Sequence, residues 1–285
     1  MTASMPSDPG ISRASARISA RLAEWVDMAP ILASRTALRF GPPMLGLALF
    51  LALWQAAHLR YGGFILPSPL QTGAAVLAAL SIGAGWAALG ATLARVALAL
   101  ALSAMIGGGL GLLAGYATLF RATIAPVATI LLGMPATAWV ILTMIWFGPS
   151  HGAIVFTIAI VTGPILYIGT VDAVLTRDKR LEEMAASFGA SWLTRFRTIA
   201  LRQIMASLGP VFGISLALGF KVAIMAELVT NVAGLGASMA RARAHMDIDM
   251  ALANVALAVA GLVIIEHLVI RPFQSRASGW KRITA

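Results

Sequence analysis

Two charged residues stand in otherwise apolar sequence: Lys221 and Glu227, within residues 208–229. One central charge in a spanning helix costs about 2.5–3.5 kcal/mol on insertion scales. The eleven Leu, Ile, Phe and Val residues of this stretch each favour insertion by about 0.3–0.6 kcal/mol, so the segment tolerates Lys221. Six positions apart, the two charges lie about 120° from each other around a helix and pair poorly within it. Lys221 facing a pore would attract an anion; the alternative is that it snorkels or meets a carboxylate on another helix. Glu227, near the outer interface and beside Gly234-Leu235-Gly236, reads as ordering an outer gate rather than binding substrate. Enzymatic chemistry is poorly supplied. The chain has no cysteine, hence no thiolate nucleophile, disulfide or thiolate metal site. Its histidines are scattered, His58 and His267 at span ends and His151 and His245 in outer turns, and they form no catalytic or metal-ligand cluster.

The composition says what must position these residues. Of 285 residues, 59% are apolar before the 27 glycines are counted and only 11% are charged, whereas a soluble domain carries about 25% charged residues. Lipid is the expected solvent. The 21 Lys and Arg against 11 Asp and Glu form no basic polar face with interleaved aromatics, so nucleic-acid binding is not expected. The first long apolar run begins at Phe40, which argues against a short cleavable signal peptide.

About 20 apolar residues cross the hydrocarbon layer as a helix, and stretches free of charge place six spans at about 40–59, 96–120, 122–147, 151–171, 210–229 and 250–270. Gly148-Pro149-Ser150 reads as the turn between the third and fourth. Gly209-Pro210 places proline in the first turn of the fifth. Residues 74–94 could be drawn as a further span, but the arginines and lysines decide against it: with six spans, sixteen fall on the side of both termini and three on the other, the asymmetry expected of a cytoplasmic side. Residues 74–87 then read as a helix on the outer face, after the Leu66-Pro67-Ser68-Pro69 breaker. Residues 1–39 form a cytoplasmic segment in which Arg13, Arg17 and Arg21 and the stripe Ile18, Leu22, Trp25 suit an interfacial amphipathic helix or a solvated leader, and residues 272–285 form a cytoplasmic tail. Gly107, Gly111 and Gly115, like Gly209, Gly213 and Ala217, allow close helix approach. Pro135 and Pro164 interrupt helical hydrogen bonding and are candidate path-lining positions, an ordinary kink being the other reading.

The loop at 172–207 is unlike the others, being long, mixed in charge and helical in pattern. Leu181 to Phe188 makes two turns ended by Gly189, the residue best suited to a left-handed C-terminal position. Ser191 offers an N-cap for a second helix carrying Trp192, Phe196 and Ile199 on one face. The expected result is a helix-turn-helix across the cytoplasmic end of the bundle.

Glu183, Ala185, Gly189, Ile199 and Leu201 sit at the spacing of the "EAA" coupling motif, and the chain resembles the permease subunits of binding-protein-dependent ABC importers. It departs at Met184, where alanine is usual, and at Arg202, where proline is usual. The likeness runs from Leu66-Pro67-Ser68-Pro69 to the C-terminus and is greatest to the nitrate/sulfonate/taurine branch, through Thr92-x-x-Arg95, Pro135 to Gly148, Pro164, Ala226-Glu227-Leu228, Gly234-Leu235-Gly236 and Trp280. The resemblance implies an all-α, polytopic protein of the cell inner membrane with a type I importer permease fold. It implies a second permease copy in a homodimer, or a pair of permeases, forming the pore, with a cytoplasmic ABC ATPase dimer binding ATP and Mg and an extracytoplasmic solute-binding protein. Glu183, Ala185, Ala186, Phe188, Gly189, Trp192, Ile199 and Leu201 would be the coupling residues, and the solute a small anion such as nitrate, a sulfonate or taurine, or a small heterocycle. No glycine-rich loop ending in Lys-Ser or Lys-Thr occurs in this chain, so it is expected to bind no cofactor and to have no catalytic site. An intramembrane enzyme would need a nucleophile and base at membrane depth. An ion-driven transporter would want several intramembrane carboxylates or an inverted repeat.

Overall fold

The computed structural model describes residues 41–267. They form helices joined by short turns: α1 (Gly41–Tyr61), α2 (Pro69–Ser81), α3 (Ala84–Tyr116), α4 (Thr118–Gly133), α5 (Ala136–Phe147), α6 (His151–Leu175), α7 (Lys179–Ser187), α8 (Trp192–Thr230), α9 (Leu235–Ala244) and α10 (Ile248–Ile265). Among the described residues α1, α3, α6, α8 and α10 are long and apolar enough to cross a membrane, and α4 with α5 makes a sixth if that bent pair is one span. The amphipathic segment at 1–39, the tail at 272–285 with Trp280, and the end of the sixth span lie outside the described residues.

Among the described residues, 41–69 and 70–267 belong to separate compact units. In the first, α1 ends where Gly62 takes φ +81°. The following turn is tied back to α1 by Trp54 Nε1 donating to Pro67 O (2.9 Å) and by His58 Nδ1 against Leu66 O (2.7 Å).

In the second unit α6 packs against α3, α4, α5 and α8. The glycine ridge of α3 makes this possible: a Cβ on Gly107 would run into the backbone of Gly163, one on Gly111 would lie 2.7 Å from Thr170 Cβ, and one on Gly115 2.5 Å from Val174 Cβ. Val96, Ala99, Ile154, Ile158, Phe220 and Ala223 fill the core between α3, α6 and α8.

Four helix boundaries differ from those expected. The helix that carries the second span starts at Ala84 rather than Val96, so Arg95 lies about three turns inside it. The outer helix is Pro69–Ser81 rather than 74–87, because Gly83 at φ +76° separates it from α3. The stretch 122–147 is two helices bent by 96°. The break is at Pro135, whose ring drives Met134 to an extended φ −78°, ψ 129°. The helix that carries the fifth span does not start at Pro210. Trp192–Thr230 is one 39-residue helix with Pro210 inside it and a π-bulge at Phe196–Ala200. The helix-turn-helix is accordingly α7, a turn, and the start of that same long helix. Arg202 stands where a proline would have broken it. At 1.5 Å per residue α8 is about 58 Å long, well beyond a hydrocarbon core of about 30 Å.

Candidate gate and coupling sites

Thr92 and Arg95, one turn apart on α3, meet Glu227 on α8. Glu227 is fully buried and Arg95 nearly so. Arg95 Nη1 donates to Glu227 Oε1, and Arg95 Nη2 to the carbonyl of Ala233. Arg95 Nε donates to His151 Nδ1 at 3.0 Å, tying in the first residue of α6. The second carboxylate oxygen accepts from Thr92 Oγ1 (2.8 Å) and from the Gly236 amide (3.1 Å), while the Leu235 amide donates to Thr92 Oγ1 (3.1 Å). A buried charge is tolerated only when paired and hydrogen-bonded, and here one guanidinium and one carboxylate neutralise each other and hold the entry to α9.

The glycines of that entry are dictated by space. A Cβ on Gly234 would overlap the Glu227 carboxylate. One on Gly236 would overlap Ile224 O and lie 2.7 Å from the Leu228 amide nitrogen. Lys221 is exposed, and among the described residues no carboxylate lies within ion-pair distance of it. Pro164 lies within the unbroken helix α6 and lines an apolar cavity, whereas Pro135 caps α5 at the bend. These residues are not one site: Glu227 belongs to the buried cluster, Lys221 to the surface of α8.

At the other end of the bundle, Asp178 caps α7 by accepting from the Arg180 amide (2.9 Å). The helix ends in a Schellman arrangement: the Gly189 amide donates to Ala186 O (2.9 Å) and the Ala190 amide to Ala185 O (3.0 Å), with Gly189 at φ +81°. Glu183, Met184, Ala186, Phe188 and Trp192 are exposed, Phe188 to 85%. Ala185 and Ile199 are half-buried, and Leu201 lies at the margin of exposure on α8. Trp192 stacks on Phe196 at 5.6 Å and 11°, leaving an apolar knob projecting around the turn.

Arg177 joins this knob to the spans. Its Nε donates to Glu182 Oε1 (2.7 Å) and its Nη1 to Val174 O (2.5 Å), and its guanidinium lies 4.6 Å from the centre of the Tyr116 ring, which in turn lies 6.4 Å from Phe196. The ends of α3 and α6 and the start of α7 therefore meet at one side chain, and Tyr116 joins them to the start of α8. Gln203 adds a second tie, its Oε1 accepting from the Asp178 amide at 2.7 Å.

Sequence reasoning singled out Glu227 but not its partners. The available signal was that an isolated carboxylate at membrane depth demands a cation, with Thr92-x-x-Arg95 presenting a hydroxyl and a guanidinium one turn apart. Arg177 and Tyr116 carried no signal of their own. Among the described residues no group of three or more His, Asp or Glu could hold a metal ion.

With this geometry in view, comparison with known proteins defines the class. Residues 107–271 match the family described as "Binding-protein-dependent transport system inner membrane component". The chain is 32% identical to the riboflavin transport system permease protein RibX of Chloroflexus aurantiacus over 83% of this chain and 92% of that protein. It is 26% identical to the taurine transport system permease protein TauC of Escherichia coli over 68% and 70%. Likeness to the putative aliphatic sulfonates transport permease protein SsuC of the same organism is 29% over 44% and 47%. The chain belongs to this family: it is an integral membrane permease of an ABC importer, not a catalytic subunit. The matched region includes Glu227 and α7 but stops short of Thr92 and Arg95.

Proposed function

We propose that this chain forms, with a second copy of itself, the translocation path for a small anion such as nitrate, a sulfonate or taurine. Both termini are cytoplasmic. An extracytoplasmic binding protein delivers the solute, and an ABC ATPase dimer hydrolysing ATP with Mg drives the cycle. The observation that carries the reading is α7, an exposed knob around Gly189 whose Arg177 side chain touches two spans. Closure of the ATPase dimer on ATP would move α7, and the helical stiffness of α8 would pass that motion through the membrane.

Glu183, Ala185, Ala186, Phe188, Gly189, Trp192, Ile199 and Leu201 act in coupling, Glu227 with Arg95 holds the outer gate, and Lys221 attracts the anion. Pro135 shapes the path by the bend between α4 and α5, and Pro164 shapes it from within α6 without lining it for the solute. The exposed Lys221, with no carboxylate within ion-pair distance among the described residues, supports an anionic solute. The riboflavin permease similarity supports a second reading, a heterocyclic solute, because that resemblance covers more of the chain than those to the taurine and sulfonate permeases. The test is uptake into proteoliposomes holding the permease, its ATPase and its binding protein. Uptake of labelled taurine or alkanesulfonate that requires ATP supports the first reading and uptake of riboflavin the second. Uptake driven by an ion gradient without ATP overturns both.

A further inference from the structure

The cavity lined by Pro164 has features that neither gate nor coupling uses. It has a volume of about 480 Å³ and lies between α3, α4 and α6, with Ile106, Ile124, Phe156 and Ile160 among its walls. It is elongated, since its lining on α6 runs from Gly152 to Tyr167, about 22 Å of helix. The walls are almost wholly apolar. At the end nearest α7 this changes. The Tyr167 hydroxyl is buried and lacks a hydrogen-bond partner, and so does Nη1 of Arg121; Tyr167 as a whole is 4% exposed.

Arg121 stands on the face of α4 that carries the lining residues Ile124, Ala128 and Leu131, at spacings of three, seven and ten. Phe120 and Ile124, which flank it on α4, pack in one cluster with Tyr167. Buried polar atoms are satisfied in the great majority of cases, so one orphan in the wall, on Tyr167, and another one turn before the lining residue Ile124, on Arg121, ask for a shared acceptor. The ligand that satisfies both ends has an oxyanion head and a hydrocarbon tail. A wall this apolar does not suit the path of a small hydrophilic solute.

We infer that this cavity is a binding site for one anionic phospholipid, an acyl chain filling it and the phosphate accepting hydrogen bonds from Arg121 Nη1 and Tyr167 Oη. Basic pockets between spanning helices are sites where such headgroups bind. The inference rests on the membrane-embedded reading of these helices but on neither the sidedness nor the solute proposed above. Gly163 supplies a probe of the tail site, because a Cβ there meets nothing within 4 Å.

The full chain with its ATPase, reconstituted in phosphatidylcholine vesicles containing phosphatidylglycerol and re-extracted in detergent, is examined by native mass spectrometry. Wild type is expected to retain one phosphatidylglycerol. Arg121→Gln should lower the retained fraction about fivefold, Tyr167→Phe should lower it less, and Gly163→Leu should abolish it while leaving the complex assembled. Equal retention in all variants, as annular lipid would give, overturns the inference. So does retention of phosphatidylcholine in place of phosphatidylglycerol, or displacement of the lipid by octanesulfonate at the concentration that supports uptake, which would make this a solute site. The readout needs no transport, so an error in the proposed solute leaves it intact.

Discussion

Arg95 and Glu227, 132 residues apart in the chain, form a buried ion pair that ties α3 to α8 and, through the Ala233 carbonyl and the Gly236 amide, to the entry of α9. Breaking such a pair from one side leaves an uncompensated buried charge and costs about 3–5 kcal/mol. Arg95→Met and Glu227→Leu should each lower the thermal stability of the detergent-solubilised permease, and the double variant should recover much of the loss because no bare charge remains. If the pair also holds the outer gate, the double variant folds yet transports poorly. A double variant no more stable than either single one would show that the network acts through something other than charge.

Gly234 and Gly236 are both crowded, but by different neighbours, and the difference predicts an order. A methyl group on Gly234 meets the Glu227 carboxylate, a side chain that can shift at the expense of its hydrogen bonds; on Gly236 it meets the backbone of α8, which cannot. Gly236→Ala should therefore be the more damaging, and Gly234→Ala should cost less in an Arg95→Met/Glu227→Ala background, where neither the carboxylate nor a bare guanidinium remains, than in the wild-type chain. Expression level and melting temperature of these variants measure this.

Much of this architecture was legible in the sequence, and what was not has physical reasons. The turn at Gly148, the end of α7 at Gly189 and the close packing of Gly107, Gly111 and Gly115 follow from local rules that need only neighbouring residues. The start of α3 was hidden because a charge-free criterion stops at Arg95, and that charge is cancelled by Glu227 from a distant part of the chain. The continuity of α8 was hidden because Gly209-Pro210 reads equally well as a helix start. Helix α9, with Arg241 and Arg243 and little apolar character, was missed because its position is set by hydrogen bonds to Thr92 and Glu227 rather than by periodicity.

Gly189 adopts φ +81°, a conformation open to glycine and, at modest cost, to asparagine. Gly189→Asn should keep the turn, whereas Gly189→Val should distort it and separate ATP hydrolysis from uptake. Gly189→Asp holds the turn less well than glycine and adds a negative charge beside Phe188, so it should weaken co-purification of the ATPase. Normal uptake and ATPase retention in Gly189→Val and Gly189→Asp together would remove α7 from the coupling path.

Arg177 lies over the Tyr116 ring, a cation–π contact worth about 0.5–2 kcal/mol. Tyr116→Phe keeps the ring and should change little; Tyr116→Leu loses it. Since Arg177 also holds Glu182 and Val174 O, the expected defect in Tyr116→Leu is one of transmission: the ATPase still binds and hydrolyses, while solute moved per ATP falls. Measuring both rates in the same proteoliposomes separates this from simple instability, which would lower them together.

Lys221 is the charge that the folded chain does not explain, being exposed on α8 with no carboxylate partner among the described residues. Were it only snorkelling, Lys221→Met would leave transport kinetics untouched and make insertion easier. If it attracts the passing anion across a wet path, the contribution is that of an exposed charge pair, about 0.2–1 kcal/mol. Lys221→Met should then raise the KM for an anionic solute by a factor of up to about five, with kcat little changed. Lys221→Arg should restore the KM, since the charge and not the shape of the group is what counts. The same substitutions measured with riboflavin, which is uncharged at neutral pH, should leave KM unmoved, so the comparison reads the solute's charge from the permease's side.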